Sequence, residues 1–256
     1  AWLFRSRGEA ISAKAPLPTP QLRWYINGSF HHQLTPAEMT LFASDKPIIA
    51  VIDHAGGGRP ADAKLLRQLC QQASSAHNSQ CLAALAYWGE AGVLATQALA
   101  KIKHKLSAVI MLQDFVIGGG EGREAVTDAL KQLNVPVLKA IKLRDRSAAQ
   151  WHLSSDGLAQ DKVYYQVAMP ELQGASQPLV IATLGEPSLD DITGINVQGV
   201  IAEPSGIQSL LTRISGWQQL RAKANHDKKI AIIYYNHPPG RHNIGVDNLD
   251  VPASLW

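Results

Sequence analysis

The chain has 256 residues, 46% of them apolar and 18% charged, and a net charge of +3 from 24 basic and 21 acidic side chains. This composition supports a sizeable buried core and excludes a disordered chain. The near-balanced, scattered charges argue against a nucleic-acid surface, and no apolar run approaches the ~18 residues that span a bilayer.

Residues 1–45 read as an irregular segment punctuated by Pro16, Pro18, Pro20 and Pro36, with one short strand predicted at 23–26. The run at 47–52 is continuously apolar and β-branched, as a strand buried on both faces requires. It ends in Asp53 and His54, followed by Gly56, Gly57 and Gly58. Pro60 then opens a helix predicted to reach Ala76, with Leu65, Leu66 and Leu69 as its apolar stripe. A weaker strand at 81–85 and a helix at 90–102 come next. They are followed by a strong strand at 107–112, a glycine loop at 118–122, a helix at 123–133 and a strand at 135–141. Ser147 caps a short helix ending at Leu153. Further strands are predicted at 162–167, 179–182 and 198–201, a long helix at 207–225, and a strand at 229–235.

Strands that alternate with helices through short connections form βαβ units. The expected fold is therefore α/β, with parallel-sheet layers flanked by helices and two Rossmann-like units. The expected boundaries are 1–45 for the irregular segment, 46–172 for an α/β domain, and 173–256 for the start of a second α/β unit continuing beyond the chain end.

Cys70 and Cys81 are the only cysteines. One pair cannot build a disulfide framework in a chain of this size. Read as small core residues, they suit a reducing, cytoplasmic setting.

The glycine clusters at 56–58 and 118–122 each follow a strand and precede a helix, where doubly wound folds bind phosphate. Neither has GxGxxG spacing, and no GxxxxGK[ST] occurs. They read as tight turns that bring helices close to the sheet, with no nucleotide site in this chain. Nine histidines are spread through the sequence without HxxxH spacing, and no metal site is expected from them. His54 is the best placed, because ligands of open α/β sheets gather at the C-terminal ends of strands. The last loop holds Asn236, His237, Pro238, Pro239, Gly240, Arg241, His242, Asn243 and Gly245. Its prolines pre-set the backbone and its glycines permit close approach, so it is either a ligand-binding element or a structural loop capping the sheet.

These residues carry a family resemblance. Residues 236–245 (NHPPGRHNIG) and 249–255 (LDVPASL) resemble an internal signature of the cobaltochelatase large subunit and magnesium-chelatase large (H) subunit family. Upstream and in the family's order, 133–140 (LNVPVLKA) and the segment with Pro170, Glu171 and Gly174 are similar to its LNVPV and VxxPExxG blocks. The sequence also departs from the family. His237 replaces its aromatic residue, Arg241 and His242 replace its Lys-Gly pair, and the 47–53 strand ends in Asp53-His54.

The resemblance implies a subunit that binds a tetrapyrrole and a divalent metal substrate, cobalt or magnesium, and inserts the metal. In that family ATP is hydrolysed by separate AAA+ partner subunits in a ligase-type reaction. It implies an N-terminal-to-middle fragment, inactive alone, whose catalytic base lies downstream of Trp256. His54, His237, Arg241, His242 and Asn243 are then ligand-binding candidates. Pro238, Pro239, Gly240, Gly245, Pro170 and Glu171 are structural markers. Metal removal by a tetrapyrrole-handling relative, or capture of a small ligand by a non-catalytic α/β module, stays open as an alternative.

Overall fold

A computed structural model describes residues 20–34, 45–55, 60–233 and 253. Strands β1 (Leu22–Ile26) and β2 (Ser29–His31) form an antiparallel hairpin turned by Asn27 and Gly28, both at positive φ. The alternating core follows: β3 (Ile48–His54), α1 (Pro60–His77), β4 (Gln80–Ala86), α2 (Glu90–Lys101), β5 (Leu106–Met111), α3 (Arg123–Leu133) and β6 (Val137–Lys142). Beyond it lie α4 (Ala148–Leu153), α5 (Gln160–Val163), a π-helical turn (Tyr164–Ala168), α6 (Met169–Glu171) and β7 (Ala175–Leu184). A small hairpin of β8 (Ser188–Leu189) and β9 (Asn196–Val197) precedes β10 (Val200–Ala202) and α7 (Pro204–Ala222).

One eight-stranded sheet runs in the order β10-β7-β6-β5-β3-β4-β1-β2. The five strands β4, β3, β5, β6 and β7 are parallel, and the flanking strands β1, β2 and β10 are antiparallel. The α/β architecture with a mostly parallel sheet flanked by helices is thus as the alternating pattern required.

Side chains alternate across the sheet as the pleat dictates. Ile49, Val51, Ile110 and Leu138 pack on one face against Leu65, Leu66 and Leu69 of α1 and Ile207, Leu210 and Ile214 of α7. Ile48, Ala50, Ile52 and Met111 pack on the other against Ala95 and Leu99 of α2 and Val126 and Leu130 of α3. Burial on both faces accounts for the unbroken apolar reading of β3, in which only His54 is not fully buried.

Several expectations are corrected. Residues 162–167, predicted as a strand, are helical and run into the π turn; Val163, Tyr164 and Tyr165 are exposed while Gln166 and, one turn on, Met169 are buried. β7 begins at Ala175 and hydrogen-bonds to β6 in the same sheet, and the first compact unit runs to Trp217. In the second unit, residues 229–233 form no strand, and no other strand pairs with them among the described residues. Cys70 and Cys81 are joined by a disulfide that ties α1 to β4 across a Cα separation of 5.2 Å. The helix returns along β4 directly, which places the two thiols side by side. The cytoplasmic expectation rested on free thiols, and the bridge removes that support. Among the described residues no helix is long and apolar enough to cross a membrane.

Candidate functional site

The strand order decides where a site can form. From β3 the chain passes to one side of the sheet to reach β4, and it then crosses back so that β5 lies on the other side of β3. α1 covers one face and α3 the other. The loops leaving β3 and β5 therefore diverge, opening a crevice at the C-terminal edge, the usual ligand position of open α/β sheets. A cleft of about 760 Å³ lies there.

Its floor is a buried ion pair. The Lys142 ammonium, at the end of β6, donates to both oxygens of Asp53 at the end of β3, at 2.6 and 2.7 Å. Asp53 also accepts the backbone N–H of His54 at 2.8 Å. Asp53 therefore serves Lys142 and the backbone rather than the neighbouring imidazole. Behind the pair lies Lys139, 1% exposed, which donates to the carbonyls of Gln113 at 2.7 Å, Ala140 at 2.9 Å and Met111 at 3.4 Å. Burial lowers its pKa to about 8, opposed by the nearby Asp114 carboxylate. Lys139 thereby fastens the end of β5 and the start of the following loop.

One wall is aromatic. The His54 ring packs against Tyr87 and Trp88 at centroid distances of 5.1 and 5.2 Å. Trp88 is followed by Phe115 at 6.0 Å and Phe115 by Tyr165 at 5.5 Å. Trp88 is 45% and Tyr165 50% exposed, so broad ring area faces the opening. Burial shifts the His54 pKa downward, only partly offset by Asp53, which favours the neutral imidazole.

The opposite lip is charged. Arg144, just past β6, donates to Asp62 in the first turn of α1 at 3.0 and 3.1 Å, and its Nε stands 4.0 Å from Asp114. Lys162 completes this rim.

The loop from 113 to 117 is held by glutamines. Gln113 donates to the Val116 carbonyl at 2.9 Å, while Gln173 both accepts the Ile117 N–H at 2.8 Å and donates to its carbonyl at 3.0 Å. The glycine cluster that follows has packing reasons of its own. A Cβ at Gly119 would stand 2.7 Å from the Trp88 ring, and one at Gly92 would stand 2.6 Å from the Gly118 nitrogen.

The structure brings His54 into this cleft. Pro170 and Glu171 lie away from it: Pro170 is buried in α6, and their carbonyls accept from Gln173 and Gly174 in the turn that launches β7. His237, Pro238, Pro239, Gly240, Arg241, His242, Asn243 and Gly245 lie outside the described residues, as does the triple glycine at 56–58. Among the described residues no group of three His, Cys, Asp or Glu side chains is placed to hold a metal ion. Lys139, Lys142, Arg144, Trp88, Phe115 and Tyr165 were missed by the sequence reading. The available signal was lysine at two positions of an otherwise apolar buried strand, β6.

A family model described as CobN/Magnesium Chelatase matches residues 2–256. The magnesium-chelatase H subunit of Cereibacter sphaeroides is 26% identical over 270 residues, covering 92% of this chain and 21% of that protein. The chloroplastic magnesium-chelatase subunit ChlH of Oryza sativa subsp. indica is 33% identical over 143 residues, covering 55% of this chain and 10% of its own length. Among solved structures, the catalytic subunit of cobaltochelatase from Mycobacterium tuberculosis superposes with a TM-score of 0.57 at 20% identity. That match covers 93% of this chain and 19% of the other, and it shows a shared fold. The chain thus spans about a tenth to a fifth of the length of these relatives. With the family model matching nearly end to end, this chain belongs to the CobN/magnesium chelatase family.

Proposed function

We propose that this chain is part of a chelatase large subunit whose cleft receives a tetrapyrrole for ATP-dependent insertion of a divalent metal, cobalt into a corrin or magnesium into a porphyrin. The observation that carries the reading is the row of rings from His54 through Trp88 and Phe115 to Tyr165 along the switch-point crevice. Successive rings are tilted by 54–56°, so ring faces and edges alternate along an apolar wall against which the rim of a macrocycle can pack. A cleft of about 760 Å³ falls within the range of small-molecule sites.

Insertion requires pyrrole N–H protons to leave as the metal enters, so a base must stand at the macrocycle centre. In the cleft, Asp53 is committed to Lys142, and the Nε2 of His54 is buried. The remaining carboxylates of the cleft, Asp62 and Asp114, stand against Arg144 at its rim; on this reading the cleft is a binding wall, and the base and metal-delivery groups belong to other parts of the subunit. The segment with His237, Arg241, His242 and Asn243 is proposed as a further ligand-touching element. ATP is hydrolysed by AAA+ partner subunits on this reading, and the chain alone binds without turnover.

Reconstitution tests it. The full-length protein, mixed with its ATPase partners, a free-base porphyrin or a corrin precursor, and magnesium or cobalt, is expected to yield the metallated absorption spectrum only when ATP is present. Absence of metallated product with both metals and both macrocycles would overturn the assignment.

A further inference from the structure

We propose that Arg144 anchors a carboxylate arm of the ligand and that a second chamber behind it houses that arm. This inference rests on the cleft being the tetrapyrrole site. Arg144 and Asp62 line both the aromatic cleft and a neighbouring cavity of about 720 Å³ between the first turn of α1 and the segment from β7 to β10. The ion pair is thus the shared partition of two adjoining spaces.

The partition is built so that it can exchange partners. One Arg144 nitrogen, Nη2, serves both Asp62 oxygens, and Nε stands 4.0 Å from Asp114. The guanidinium is planar with five donors, and a carboxylate best fills two parallel ones. Here that paired arrangement is not made. Nη1 has no hydrogen bond among the described residues, and the Arg144 side chain is 30% exposed. An incoming carboxylate can take a forked position on Arg144 by displacing Asp62 or sharing with it. Lys142, by contrast, is enclosed by Asp53 and cannot be recruited without breaking a buried pair.

The second chamber has room and polar groups for an arm. Lys64, Ser188, Gln198 and the exposed Glu186 line it, together with Gly185 and Gly199. Gly185 donates to the Gly199 carbonyl at 2.8 Å, Gln198 donates to the Gly185 carbonyl at 2.8 Å, and a Cβ at Gly199 would collide with Ala61. Glycine at 185 and 199 lets this backbone pack directly against the start of α1 and against Ile201, which fixes the chamber's wall. The ligand chemistry that fits both spaces is a flat π surface with free carboxylates on flexible arms. A macrocycle whose acids are all capped as amides would leave the cation without its partner.

The test compares a free-base porphyrin diacid with its bis-amide in binding to the full-length protein, followed by Soret absorbance. Wild type is expected to prefer the diacid by about tenfold or more, the worth of a charge-assisted hydrogen-bonded pair. Arg144→Gln erases that preference by weakening only the diacid, Arg144→Lys restores part of it, and Asp62→Asn tightens the diacid. Equal affinity of wild type for both ligands would overturn the proposal, as would Arg144→Gln weakening both ligands alike. If neither macrocycle binds wild type, the cleft assignment itself fails and takes this inference with it.

Discussion

The Lys142 ammonium lies 2.6 and 2.7 Å from the two oxygens of Asp53, with 4% of the lysine side chain and 8% of the carboxylate side chain exposed. Few elements of an apolar sheet tolerate charge, and this pair joins the ends of β3 and β6, eighty-nine residues apart. Desolvation opposes such a pair, so its net gain in stability is small, whereas removal of one partner strands a buried charge. Lys142→Met is expected to cost about 3–5 kcal/mol in urea unfolding, with the Asp53→Asn/Lys142→Met double variant recovering much of that loss. Simple additivity of the two single changes would show that the residues do not act as a pair.

Lys139 gives the fold a signature in alkaline solution. Its pKa is lowered from 10.5 to about 8 in the folded protein, chiefly by burial. Between those values the unfolded chain still holds a proton that the folded protein has released, so this residue makes stability rise with pH. The effect saturates at about 3 kcal/mol across the window. In thermal melts from pH 7.5 to 10, wild type should gain on Lys139→Met as pH rises. A pH-independent difference between the two proteins would contradict the burial of a charged lysine.

Gly119 couples the glycine loop to the aromatic wall. A methyl group there would meet the Trp88 ring at 2.7 Å, so Gly119→Ala must displace one or the other. Overpacking of this kind typically costs about 1–3 kcal/mol. The tryptophan emission should shift, and macrocycle binding should weaken together with stability. An unchanged emission spectrum would show that Trp88 does not lie against this loop.

The Cys70–Cys81 bridge predicts that these two residues of the native protein take no thiol reagent until it is reduced, when both are labelled, as peptide mapping would show. Replacing both cysteines by serine should lower stability by about 2–4 kcal/mol. Labelling of Cys70 and Cys81 in unreduced, unfolded protein would contradict the bridge.

Much of the fold was legible in the sequence because it follows from local rules. The continuous apolar run of β3 and the helical stripe of α1 name their elements and their burial. The capping box of Ser147 and Gln150, each hydrogen-bonded to the other's backbone, marks the start of α4 where Ser147 foretold it. What stayed hidden depends on distance along the chain. The strand reading of 162–167 failed because a run such as Val163-Tyr-Tyr-Gln-Val fits a strand and a helix equally well, and only packing chose between them. The candidate site was half legible. His54 could be placed from the end of a strand, but its aromatic neighbours come from the ends of β4 and β5 and from the π turn. The role of Lys142 depends on strand order, which no local pattern encodes. The disulfide likewise follows from how α1 lies along β4.

The central claim is that the row of rings above the Asp53–Lys142 floor binds a tetrapyrrole. Titration of the full-length protein with a free-base porphyrin, followed by Soret absorbance and quenching of tryptophan emission, tests it most directly. The account predicts a saturable Soret shift at micromolar concentrations, with Trp88→Ala and Phe115→Ala each weakening binding by about tenfold, the worth of one aromatic contact of this kind. A missing shift, or one that survives both substitutions unchanged, would contradict it.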